Sequence, residues 1–216
     1  MVSFLALFGG LTIHQAAATS LFSFLFTGLL GTFLYQRRRS IDWRISIPVC
    51  AGALIFGFIG AYAASQVSPR PLTIIIALII VAAGLYIFIP PKHIGRARGG
   101  RWLLASVGAA SGFGSGFSGA GGPLFSVPLM VILRYAPLTA VATSQVLQIV
   151  AATSGSIENL RHGFIDFQIA LVVTIFELLG VIVGVRLAHI ASARALRRLA
   201  GAFCVVTGGL LLARTL

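Results

Sequence analysis

Apolar residues run along this chain in long blocks separated by short polar breaks. The blocks fall at 2–13, 15–36, 42–66, 71–90, 102–118, 123–134, 137–160, 166–190 and 195–214. Within each block the hydrophobicity is continuous rather than alternating, which predicts helices and argues against a β-barrel. Most blocks are close to the ~20 residues a helix needs to cross a bilayer. The first is too short to cross alone. The blocks at 102–118 and 123–134 read as one span broken in the middle, or as a span followed by a re-entrant half-helix. The pattern predicts an all-α, polytopic membrane protein with about seven transmembrane helices.

The break is the most informative stretch. From Ser111 to Pro123 the chain reads S-G-F-G-S-G-F-S-G-A-G-G-P, with six glycines and a proline. Each glycine costs a helix roughly 1 kcal/mol and the proline about 3. Non-helical backbone survives at membrane depth only where protein buries it or where it lines a cavity. Transporters build substrate sites from such broken helices. Pro123 suits the first position of a new helix, where its missing N–H is no loss. The neighbouring N–H groups lack intrahelical partners, and the positive end of the helix dipole lies with them. That is a ready anion site. Gly119, Gly121 and Gly122 let an oxyanion approach the backbone closely, and Ser115 and Ser118 add hydroxyl donors. The competing reading is tight helix packing through small residues.

Composition agrees with the membrane assignment. Hydrophobic residues make up 58% of the chain and charged residues 9%, with a mean hydropathy of +1.01. The net charge of +12 would suit nucleic acid, but the basic residues sit in short clusters between apolar blocks. Arg37, Arg38, Arg39 and Arg44 form one cluster, and Lys92, Arg96, Arg98 and Arg101 another. Arg194, Arg197 and Arg198 form a third. This is the pattern of membrane-flanking loops. The expected partners are therefore the lipid bilayer and a small anionic substrate, not nucleic acid, and a homo-oligomer is left open. If the 37–44 cluster is cytoplasmic, alternation also puts 91–101 and 161–165 inside. The expected location is the inner cell membrane, in a multi-pass topology.

Shifted by 124, the chain matches itself without a gap. Ala16, Ala18, Thr19 and Ser20 fall on Ala140, Ala142, Thr143 and Ser144. Gly31 and Arg37 fall on Gly155 and Arg161, and Ile41 and Asp42 on Ile165 and Asp166. Gly60 and Ala64 fall on Gly184 and Ala188. This predicts two parallel four-helix repeats, since an even number of spans per repeat keeps both copies in one orientation. Residues 1–92 would be the first repeat, N-terminally truncated and lacking its opening glycine-broken helix. Residues 93–100 would be a basic connecting loop, and 101–216 the second repeat.

Other candidates lie on these helices. Thr143, Ser144, Gln145 and Gln148 place polar groups over little more than one turn, and Thr19 and Ser20 match the first two. The two Thr-Ser pairs would line one central pathway from both halves; alternatively, their hydroxyls bond back to their own helices. Glu177 falls near the middle of its span, where an acid is costly and a functional candidate, here for binding a coupled proton. Arg186 reads as snorkelling to an interface. Asp42 and Asp166 read as helix-start residues. Glu158 with Arg161 reads as an i,i+3 pair. Cys50 and Cys204 read as buried thiols. No catalytic nucleophile, phosphate loop or metal-ligand spacing appears, so no enzyme activity, cofactor or metal is expected.

The order of these motifs is similar to a known family. Gly116-x-x-Gly119-x-Gly121-Gly122-Pro123, then Val127-Pro128-Leu129, then Ala140-x-Ala142-Thr143-Ser144 resembles the signature of the sulfite exporter TauE/SafE family. Gly184-Val185-Arg186-Leu187-Ala188 and the first-copy Ala18-Thr19-Ser20 and Ile41-Asp42-Trp43 resemble it too. The resemblance implies a permease for sulfite, sulfonates, thiosulfate or related anions, working by alternating access. Two departures stand out: the first glycine motif is missing, and proline stands where the family often keeps glycine. A truncated or assembly-only membrane protein without transport of its own is the alternative.

Overall fold

A computed structural model describes residues 10–66, 100–161, 165–190 and 192–215, with isolated positions elsewhere. The block at 71–90 and the basic loop at 93–100 therefore lie largely outside the described residues. What is described is helical, with no strand. The helices are α1 (Ile13–Arg37), α2 (Trp43–Gln66), α3 (Arg101–Ser118), α4 (Gly122–Ile132), α5 (Pro137–Arg161), α6 (Phe167–Ile190) and α7 (Ala193–Thr215).

Local chemistry sets the ends. Thr12 and Gln15 form a capping box at the start of α1, each satisfying a backbone N–H of the other. Asp42 Oδ1 accepts from the Arg44 N–H at 2.9 Å, and Asp166 Oδ1 from Gln168 and Ile169 at 3.0 Å. Both aspartates start helices, at α2 and α6. Glu158 pairs with Arg161 at 3.6 Å across one turn of α5.

Among the described residues, three helices are long and apolar enough to cross a membrane: His14–Arg37, Trp43–Gln66 and Phe167–Ile190. The helix α5 is not among them, because it stands in the interior. It buries Ala140, Thr143, Ser144, Leu147, Ala151 and Gly155, among others. A helix that touches protein on most sides has no need of an apolar coat. The opposite case is α6, whose apolar residues Leu171, Phe176, Leu179 and Val183 are exposed.

The tightest packing joins α2 to α3. A Cβ on Gly108 would strike the Val49 carbonyl, one on Gly112 would strike Ala53, and one on Gly116 the Gly57 carbonyl. From the other side, Gly52 meets the Ala105 carbonyl and Gly60 that of Phe113. Small residues on both faces bring the two backbones together, which is how membrane helices gain van der Waals contact. Leu104, Leu147 and Ala151 close the core beside Val49 and Ala53.

The 124 offset reappears in the geometry. Adding it to the bounds of α1 gives those of α5, and adding it to α2 gives α6. Gly31 lies against Gln145, while Gly155 lies against Leu21. Each of these contacts maps onto the other at the same offset.

Candidate functional site

The helix breaks where the glycines and proline predict. Ser118 ends α3, and Gly119 follows in the left-handed region with φ 63°. Its N–H bonds the Ser115 carbonyl at 2.9 Å. Gly121, at φ 82°, then precedes α4, with Pro123 in the first turn. Side chains are disfavoured at such φ values, so glycine is required at both positions. No side chain caps the start of α4. Ser118 is used within the break: its Oγ donates to the Gly114 carbonyl at 2.6 Å and accepts from the Ala120 N–H at 3.2 Å.

Two helices stand against the break. A Cβ on Gly119 would collide with Ala17 of α1, and one on Gly121 would press on the Phe24 ring at 3.0 Å. On the other side, Gly122 meets Leu147 and Gln148 of α5. The stripe of α1 facing the break therefore runs through Ala17 and Phe24, and Ser20 lies on it at helical spacing. The equivalent stripe of α5 carries Ser144 one turn before Gln148.

This separates each Thr-Ser pair. Thr143 is fully buried and its Oγ1 accepts from Ser46 of α2 at 3.2 Å. Thr19 is equally buried and accepts the Asp166 N–H at 3.0 Å. Both threonines thus hold helix crossings. The serines differ: Ser144 bonds back to the Val141 carbonyl at 2.7 Å, while Ser20 Oγ is buried without a partner. Gln148 Nε2 donates to the Phe24 carbonyl at 2.9 Å and to Thr27 Oγ1 at 2.7 Å. Gln145 Oε1 is buried and unpartnered against Gly31.

Further hydroxyls accompany these. Ser111 and Ser115 are fully buried on α3 and neither Oγ has a hydrogen-bond partner. Their i,i+4 spacing puts both on one face. Sequence reading singled out Ser115 and passed over Ser111, although the spacing was there to see. Ser46 and Thr27 were also passed over, because their role depends on which helix lies opposite. Glu177 is half-buried in the middle of α6, and its Oε2 is buried without a hydrogen-bond partner. Cys50 is a free, half-buried thiol; the Cys204 side chain lies outside the described residues. Among the described residues, no three His, Cys, Asp or Glu side chains come together as metal ligands.

Spans long and apolar enough to cross a bilayer define a membrane protein, and a glycine-broken helix held inside them is a device that transporters use. The chain belongs to the sulfite exporter TauE/SafE family, which matches residues 1–211. It is 25% identical over 198 residues to the probable membrane transporter protein YdhB of Bacillus subtilis, covering 88% of this chain and 81% of that one. To the probable membrane transporter protein YunE of the same organism it is 26% identical, covering 76% of this chain and 68% of the relative. A probable membrane transporter protein of Methanocaldococcus jannaschii is 24% identical, with 91% and 78% covered. No solved structure matches the chain.

Proposed function

We propose that this transporter carries a small oxyanion, of the sulfite or sulfonate class, through the break between α3 and α4. The observation that carries the reading is the glycine break ahead of α4, with Gly119 and Gly121 at positive φ, together with the buried, unpartnered hydroxyls of Ser115 and Ser20. Neutral donors and a helix dipole hold an anion without a fixed counter-charge that would hinder its release. The substrate-binding set is Gly119, Gly121, Gly122 and Pro123 for the backbone cradle, with Ser115, Ser20 and Ser144 around it. Ser118 and Gln148 shape its walls; Thr19 and Thr143 hold the helices that frame it, and Gln145 packs between them against Gly31.

Ala17 and Phe24 cover the glycines, so an anion reaches the break when α1 shifts. Movement of that helix, exposing the site first to one side and then to the other, is the alternating access we propose. The test is flux of labelled sulfite and thiosulfate into proteoliposomes, with chloride as control. Saturable sulfur-anion flux is expected, lost in Gly121→Leu and weakened in Ser115→Ala. Flux untouched by both substitutions in folded protein overturns the site. Its complete absence from folded wild-type protein favours an assembly role instead.

Glu177 is proposed as the proton-coupling group, because its Oε2 is buried without a hydrogen-bond partner in mid-span. Glu177→Gln is expected to leave downhill anion exchange intact and to abolish its stimulation by a pH gradient. Equal stimulation in wild type and variant removes Glu177 from the mechanism.

A further inference from the structure

Contacts between helices fix which end of the molecule each one starts from. Near their starts, α1 and α6 meet where Thr19 accepts the Asp166 N–H at 3.0 Å. Near their finish, Ser40 Oγ lies 2.8 Å from His189 Nε2, and Tyr35 packs on the same ring. The two therefore run the same way. Gly31 meets Gln145 while Leu21 meets Gly155, so α5 starts where α1 ends. Ser46 bonds Thr143 and Gly57 meets Ser154, so α2 starts there too. Val49 meets Gly108 and Gly60 meets Phe113, which adds the start of α3. Back along α3 folds α4, with Val127 and Met130 packed on Val107. Residues 101–134 thus enter and leave at one end. Counted as a single crossing, they would put Arg161 on the side of the 37–44 cluster; as a hairpin, they put it at the opposite end.

This topology gathers the arginines. Arg37, Arg38 and Arg39 close α1, Arg44 lies in the first turn of α2, Arg101 opens α3 and Arg134 follows α4, all exposed. Arg186 and Arg198, also exposed, lie towards the adjoining ends of α6 and α7. Of the four acids in the chain, Asp42 alone stands at this end. At the other end, among the described residues, Arg70 and Arg161 are matched by Glu158 and Asp166, and Arg161 is already paired with Glu158. Both tryptophans of the chain, Trp43 and Trp102, are exposed at the basic end.

We infer that this end is the cytoplasmic face and that it docks on anionic phospholipid headgroups, binding them in preference to zwitterionic ones. The inference rests on charge and topology and not on the anion site. Basic residues flanking spans are kept on the cytoplasmic side, and tryptophan rings settle at headgroup level. The arginines beside Trp43 and Trp102 therefore stand at the level of the lipid phosphates. A guanidinium fork matches a phosphate bidentately, and the negative leaflet draws such clusters to it.

The tryptophans report on the same surface. Nanodiscs would hold the 216-residue chain in mixtures of phosphatidylcholine and phosphatidylglycerol, with bromine on the chains of one lipid at a time to quench nearby indoles. Brominated phosphatidylglycerol should quench at a mole fraction about threefold lower than brominated phosphatidylcholine, and less selectively in high salt. Glutamine at positions 37, 38, 39 and 44 together should erase the preference. Lysine at the same four should preserve most of it, which separates lost charge from lost fold. Equal quenching by both lipids, or a preference that survives glutamine or is lost equally with lysine, overturns the docking surface. Orientation is read with Gly100→Cys and Gln66→Cys, each alone in a chain with Cys50 and Cys204 replaced by alanine. In intact bacterial cells a membrane-impermeant maleimide should label Gln66→Cys, and Gly100→Cys only once the cells are opened. The reverse pattern puts the basic end outside and overturns the inference.

Discussion

Thr19 and Ser20 are adjacent in sequence and face different neighbours. One turn of helix places Thr19 on the backbone of α6 and leaves the Ser20 hydroxyl unpartnered on the stripe that meets the break. The difference predicts opposite phenotypes. Thr143→Val removes the bond to Ser46 and should cost roughly 0.5–1.5 kcal/mol of stability with little change in apparent KM. Ser20→Ala removes no protein hydrogen bond, so stability should hold or rise slightly, while KM for the anion should rise by about fivefold to tenfold. Thermal unfolding beside concentration-dependent flux checks both. The duplicated Thr-Ser pairs were legible in the sequence, but their division of roles was not. Which face a hydroxyl takes depends on the helix packed behind it, and that comes from tertiary contact rather than spacing. The same reason hid Ser46 and Thr27.

At the scale of elements, the sequence carried the break almost to the residue. The expected ends at 118 and 123 compare with an observed α3 end at Ser118 and an α4 start at Gly122. Backbone demands are local there: φ values of 63° and 82° leave little choice but glycine at 119 and 121. Hydropathy was a poorer guide to burial, since the interior helix α5 is less apolar than the exposed α6. The glycines of α3 before the break serve another purpose, which is contact with α2. Gly112→Leu should therefore separate the two helices and cost about 2 kcal/mol or more, read as a fall in unfolding midpoint. Ser106→Leu, on an exposed position of the same helix, should be near neutral. Equal losses in both would mean that α3 is held by its hydrophobicity rather than by close backbone approach.

For the whole molecule, the hydrogen bonds decide which parts can move together. Thr143 on α5 ties to Ser46 on α2, and Thr19 on α1 ties to the start of α6. Ser23 adds a bond from α1 to the Ala170 carbonyl of α6 at 3.4 Å. The ties thus run from α5 to α2 and from α1 to α6, pairs related by the 124-residue offset. Rocking of residues 1–92 against 101–216 as two rigid halves would break both ties. The seam that can open with fewer losses runs between α1 with α6 on one side and α2, α3, α4 and α5 on the other. Gln148 spans that seam through Thr27, and Phe24 closes it over Gly121. Paired cysteines in a background with Cys50 and Cys204 replaced by alanine separate the two schemes. A disulfide between Ser46→Cys and Thr143→Cys joins helices on one side of the proposed seam and should leave flux near that of the reduced protein. A short thiol cross-link between Thr27→Cys and Gln148→Cys bridges the seam and should arrest flux until it is cleaved. If instead the first linkage arrests transport and the second is harmless, the moving bodies are the sequence halves, and the threonine ties must break in every cycle.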